Sequence, residues 1–100
     1  MRIIAIGTLK SFWRKHPRAE TPLRAWYAEA SHANWAMPAQ VKIAHRDASF
    51  IGNKRVIFNI KGNDYRLITS IIYVTQRIYI KYVLTHAEYD KDKWKDDPYY

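Results

Sequence analysis

The feature that most constrains this chain is a change of hydrophobic period at Lys54. From there Val56, Phe58 and Ile60 alternate with Arg55, Ile57, Asn59 and Lys61, the two-residue repeat of a strand with one apolar and one more polar face. Lys61-Gly62-Asn63-Asp64 follows, residues that accept positive φ in a tight hairpin. Tyr65 to Thr75 (YRLITSIIYVT) is rich in β-formers and apolar almost throughout, as a central strand is. A second turn at Thr75-Gln76 leads into Arg77 to Leu84, where Ile78, Ile80, Tyr82 and Leu84 alternate with Arg77, Tyr79, Lys81 and Val83. A three-stranded antiparallel meander of this kind must bury one face, so the rest of the chain has to cover it.

The N-terminal half supplies that cover. Ile3 to Ile6, closed by Gly7, reads as a short first strand. Leu9, Phe12, Trp13 and His16 then fall on one helical face, with Thr8 as a cap and Pro17 as the stop. Thr21-Pro22 pairs a capping residue with proline at a helix start, and Leu23, Trp26, Tyr27 and Ala30 continue that helix to about Ala33. Met37-Pro38, followed by Val41 and Ile43, supports a short third helix or a turn. Thr85-His86-Ala87-Glu88 matches a capping box and opens a short helix through about Lys91. Residues 92–100 (DKWKDDPYY) read as a flexible polar tail. The expectation is one α+β domain over residues 1–100, with helices on one sheet face.

Charge narrows the partners. Seventeen Lys and Arg against nine Asp and Glu leave +8 at pH 7, which calls for an anionic partner. Residues 51–83 hold six bases and one acid, whereas residues 84–100 hold three lysines and five acids, so the positive charge lies on the predicted sheet. With no cysteine, disulfide frameworks, zinc ribbons and thiol catalysis are excluded. No stretch approaches the ~18 apolar residues of a membrane span, and the Ile3 to Ile6 run is too short for a signal-peptide core. That points to a cytoplasmic protein with no membrane partner.

If the helices cover one face, Arg55, Asn59 and Lys61 with Arg77, Tyr79 and Lys81 are candidates for the other. Cationic strands with aromatic edges suit RNA, whose phosphates take Lys and Arg and whose unstacked bases lie on Tyr; a merely solvated basic face is the alternative. Arg66 begins an otherwise apolar strand and needs a carboxylate or phosphate, either a salt bridge to Asp64 or Glu88 or a substrate. Asn59 and Asn63 flank the hairpin, as turn formers or as substrate contacts. His86 and Tyr89 share a face of the last helix, and a histidine there is either a surface residue or one that moves a proton near neutrality. Glycine-rich phosphate loops, serine nucleophile motifs, paired carboxylates and metal-ligand spacings are not seen.

The segment Gly52 to Ile68 (GNKRVIFNIKGNDYRLI), the motif Thr85 to Asp90 (THAEYD) and the upstream W-x-x-P-x-x-V-K of Trp35 to Lys42 together resemble the HigB toxins, a branch of the RelE/ParE-like superfamily, over roughly residues 1–91. The resemblance implies a small RelE-like fold and an mRNA endoribonuclease that needs no metal or cofactor and acts on free or ribosome-bound mRNA. A helix-turn-helix, HigA-like antitoxin would neutralise it. It further implies cleavage by attack of a ribose 2′-hydroxyl on the adjacent phosphate. Asn59, Asn63 and Arg66 match one motif and His86 and Tyr89 the other, while Lys81 matches only by its place in the fold. On this reading Arg66 clamps the phosphate, Lys81 adds a second charge, His86 transfers a proton, and Tyr89 serves as a base-stacking or hydroxyl partner. Lys54, Arg55, Asn59, Lys61, Asn63 and Tyr79 would bind the RNA. The alternative is a RelE/ParE-like toxin that binds and inhibits a protein target.

Overall fold

The computed structural model describes residues 1–52 and 54–96, without the side chains of residues 93 and 96. Asn53 of the motif above and residues 97–100 of the expected tail lie outside the described residues. The elements are β1 (Arg2–Ile4), α1 (Ile6–Lys15), α2 (Glu20–His32), α3 (Pro38–Ala44), β2 (Ser49–Ile51), β3 (Arg55–Ile60), β4 (Tyr65–Ile72), β5 (Arg77–Thr85) and α4 (His86–Asp90). Short 3₁₀ turns cover Pro17–Ala19 and Lys93–Asp96.

The meander forms as its periodicity predicts and sits inside a five-stranded sheet ordered β1-β5-β4-β3-β2, with β1 parallel to β5. Val56, Phe58, Ile60, Leu67, Ile71, Ile78 and Val83 turn toward the helices and meet Leu9, Trp13, Leu23, Trp26, Ala30 and Val41. Trp26 meets the Phe58 ring edge-on at 5.3 Å. Each large side chain buried in this layer is worth roughly 1.5 to 3 kcal/mol, which is what holds the helices to the sheet. The hairpin between β3 and β4 turns at Lys61 and Gly62, both with positive φ (52° and 62°), the conformation for which Gly62 is suited.

Several local expectations change. Ile6 and Gly7 begin α1 instead of ending β1, so Thr8 lies inside the helix and Ala5 takes the cap position. A 3₁₀ turn leads directly into α2, which starts at Glu20, so Pro22 falls within its first turn, where a missing N–H leaves no helical bond unmade. The third helix is real, and β2, an edge strand of three residues, carries too short a pattern to be read. β4 ends at Ile72 and the chain turns through residues 73–76, with Gln76 at φ 57°.

One correction alters the site itself. Ile68 pairs with Tyr82 and Thr69 with Ile80, so Lys81 is an extra residue in β5, a bulge. Past it the alternation reverses: Val83 joins the helix-side core, whereas Tyr82 and Leu84 turn to the opposite face. There they meet a second small cluster of Ile57, Ile68 and Trp94, with Ile51 and Tyr89 against it. Trp94, placed by the sequence in a flexible tail, is 4% exposed, because its indole covers apolar sheet surface that the helices leave open.

Candidate active site

Arg66 lies on the open face of β4, 9% exposed, level with Asn59 of β3 and Leu84 of β5. Its guanidinium donates to the Tyr65 carbonyl (Nη1, 3.2 Å) and to Asn63 Oδ1 (Nη2, 3.3 Å), and its Cζ stands 5.3 Å from the Tyr89 ring centroid. The salt bridges considered for it do not form. Asp64 is taken by Lys61 at 3.0 Å, and the Glu88 carboxylate accepts from the Thr85 backbone N–H at 2.9 Å. Among the described residues Arg66 thus has neutral acceptors and an aromatic face around it but no carboxylate, and a guanidinium does not lose its charge. A buried cation held this way retains its demand for an anion.

The capping box delivers α4 onto this point. Thr85 Oγ1 accepts from the Glu88 N–H while Glu88 reaches back, as the motif predicts. The hydrogen bond from the Thr85 N–H, above all, holds the Glu88 carboxyl below its ordinary range. The His86 N–H donates to the Asp64 carbonyl at 3.0 Å, mooring the helix start to the hairpin that carries Asn63 and Arg66. His86 is exposed, and its Nε2 pairs with Asp90 Oδ2 at 3.4 Å. Asp90, absent from the residues singled out in the sequence, was legible there through its i,i+4 spacing to His86.

Tyr89 is brought to Arg66 but not as a free stacking surface. Trp94 stacks on its ring at 5.2 Å and 11°, with the indole N–H donating to the Tyr89 carbonyl at 3.1 Å. Arg66 and Trp94 both lie against that ring.

The remaining residues are spread more widely. Asn63 supports Arg66, and Asn59 donates to Asp47 Oδ2 at 3.2 Å. Lys61 is exposed at the hairpin and Lys54 is exposed ahead of β3. Arg55 is 4% exposed and level with Ser70, as is Tyr79 on β5. Ser70 lies four positions from Arg66, about 13 Å along the strand, so the geometry does not bring Arg55 and Tyr79 to the guanidinium. Lys81, half-buried at the bulge, stands between those positions, about 8 Å along the strand from Arg66.

Helices behind a five-stranded sheet, with a capped terminal helix packed against its other face, form an α+β fold consistent with that of RelE-like toxins. Residues 19–92 match the family model for the HigB toxin, described as the RelE-like toxic component of a toxin-antitoxin system, and the chain belongs to that family. Among its relatives is the mRNA interferase HigB of Escherichia coli O6:H1, 29% identical over 93 residues that cover 91% of this chain and 90% of the relative. The mRNA interferase HigB of Shigella flexneri is 28% identical over 92 residues, covering 90% and 88%. No helix among the described residues is long and apolar enough to cross a membrane.

Proposed function

We propose that this toxin is an endoribonuclease that cuts mRNA on translating ribosomes, with Arg66 receiving the scissile phosphate. The observation that carries the reading is the Arg66 guanidinium, buried on the open face without a carboxylate partner among the described residues and moored beside the helix that bears His86. In the reaction the ribose 2′-oxygen bonds to the adjacent phosphorus and gives up its proton. The P–O5′ bond then breaks with its electron pair on the 5′-oxygen, which takes a proton, leaving a 2′,3′-cyclic phosphate and a 5′-hydroxyl. His86, oriented by Asp90, carries one of these proton transfers, an effect worth ~10²- to 10⁴-fold. Arg66 and Lys81 stabilise the charge that accumulates on the phosphorane, an electrostatic effect of similar size. The Tyr89 hydroxyl, on a ring held by Arg66 and Trp94, is a further donor toward the same phosphate.

Control follows from the same charge. A helix-turn-helix, HigA-like antitoxin that covers the cationic face denies it RNA. Single-turnover cleavage of naked and of ribosome-bound mRNA tests the reading. Wild-type protein is expected to cut the ribosome-bound message faster, and His86→Gln to lose ~10² or more in rate while still binding RNA. A His86→Gln protein that cuts at the wild-type rate would pass the proton transfer to Lys81 or Tyr89. A wild-type protein that is toxic yet cuts no transcript would overturn the nuclease assignment.

A further inference from the structure

A second group of polar side chains lies around the end of the sheet from Arg66. A cavity of about 260 Å³ opens between α1 and α4, with Thr8, Ser11, Lys15 and His16 on one side and Glu88 on the other. Thr8, Ser11 and Lys15 recur at helical spacing on one exposed face of α1, and His16 follows at its end. Among the described residues no hydrogen bond or ion pair engages the side chains of Thr8, Ser11 or Lys15, so two hydroxyls and an ammonium stay open to a ligand. The His16 ring stacks on Phe12 at 4.5 Å and 26° and stands 6.1 Å from the Tyr65 ring; it brings an N–H to the cavity in either protonation state. Residues 6–19 carry Lys10, Arg14, Lys15 and Arg18 and no acid, so α1 adds positive potential to that of the sheet.

We propose that this cavity is a second backbone subsite for the RNA, in which Lys15 and His16 receive a phosphate flanking the one held by Arg66 and the Thr8 and Ser11 hydroxyls donate to it. The proposal rests on the nuclease reading and adds to it the path the strand takes around the sheet. Placement carries it. Tyr65 and Arg66 are consecutive in β4, so their side chains point to opposite faces, and His16 lies beside the first as the scissile phosphate lies beside the second. α4 spans the two faces in the same way, since Glu88 lines the cavity while Tyr89, the next residue, lies on Arg66. A strand leaving Arg66 therefore reaches α1 by passing the first turn of α4, the turn that carries His86. Glu88 decides which anion fits. Its carboxyl, held low chiefly by the Thr85 N–H, is ionised at neutral pH and would repel an isolated anion filling the cavity. An RNA strand instead sets a phosphate on the cations and a sugar, whose 2′-hydroxyl is a donor, on the carboxylate. Each phosphate neutralised on a single strand is worth about 0.7 of a log unit in affinity per decade of salt, or about fivefold at 0.1 M.

The test uses six-nucleotide RNAs, uncleavable because each 2′-hydroxyl is replaced by fluorine, in which each phosphate in turn is exchanged for an uncharged methylphosphonate. The full-length protein should show a sensitive position for each subsite, losing about fivefold in affinity there at 0.1 M salt. Lys15→Ala should abolish the loss at one position and keep it at the other, and Arg66→Met should do the reverse. Lys10→Ala, on the same helix but outside the cavity, should leave both losses in place. Ser11→Asp, which sets a second carboxylate in the cavity, should weaken the unmodified strand and spare the strand that is neutral at the Lys15 position. Urea midpoints of the variants check that the domain remains folded. A position profile unchanged by Lys15→Ala overturns the subsite and leaves the nuclease reading standing, and a Lys15→Ala protein that binds RNA normally but loses affinity for its antitoxin assigns this face to protein instead. Absence of salt-dependent RNA binding by the wild-type protein overturns both readings.

Discussion

Replacing Arg66 by methionine separates what this residue does for RNA from what it does for the fold. The side chain is 9% exposed and its hydrogen bonds, at 3.2 and 3.3 Å, are long and end on neutral acceptors. Two such bonds contribute about 0.5 to 1 kcal/mol each, and the contact with the Tyr89 ring about 0.5 to 1 kcal/mol more. Methionine therefore gives up about 1.5 to 3 kcal/mol. Against this stands the cost of keeping an ion out of water, several kcal/mol per charge even after relaxation, which methionine does not bear. It also fits between Ile68 and Tyr89, which already belong to the apolar cluster on this face. The balance favours the folded variant by about 1 to 2 kcal/mol, a rise in midpoint temperature of roughly 4 to 8 °C per kcal/mol for a domain this small. Urea unfolding with an unchanged m-value should report the gain as a higher midpoint, while single-turnover cleavage falls ~10³-fold or more. A variant destabilised by 1 kcal/mol or more would refute the reasoning, because it would mean that the protein itself compensates the charge and Arg66 is a structural cation.

Four further outcomes follow from the geometry. Asp90→Asn should lower the cleavage rate less than His86→Gln does, because it removes the partner that orients the imidazole and keeps the ring; equal losses in single-turnover assays would count against that division. Tyr89→Phe preserves the ring against Arg66 and Trp94, so any loss of rate measures the hydroxyl, while Tyr89→Ala should cost more in both stability and rate. RNA affinity should fall with salt at a log–log slope of about −0.7 per phosphate neutralised, and removing the exposed Lys54 should flatten it by one contact. Because the folded Glu88 carboxyl lies below its unfolded value of 4.5, its contribution to stability is complete above that pH and is lost as pH falls through the folded value. Thr85→Ala removes one side of the cap, about 1 kcal/mol near neutrality, and should shrink that acid-limb loss in pH-dependent urea titrations.

What the sequence determined by itself is local. Val56, Phe58 and Ile60 face the helices because a strand has a period of two and nothing interrupts it between Arg55 and Ile60. The hairpin at Lys61-Gly62 and the cap at Thr85 and Glu88 are written in residues whose backbone preferences are set within four positions. The motifs around Arg66 and His86 were legible through their resemblance to a known family, and the hairpin and the cap bring Tyr89 of the second motif against Arg66 of the first.

The rest was decided in three dimensions. The bulge at Lys81 is invisible in the pattern because Tyr82, Val83 and Leu84 are all apolar, so either phase of the alternation satisfies the strand; only pairing with β4 selects one. β2 has three residues and exists because β3 offers it an open edge. The Trp94 indole reads as tail until there is an apolar face to cover, and that face is assembled from β2, β3, β4, β5 and α4, segments up to 38 positions apart in the chain from Ile51 to Tyr89. Whether Arg66 met a carboxylate depended on where Lys61 and Thr85 stood, since these residues claim Asp64 and Glu88 first. Periodicity and capping act within a few residues. The competition for partners is settled only when strands distant in sequence come together.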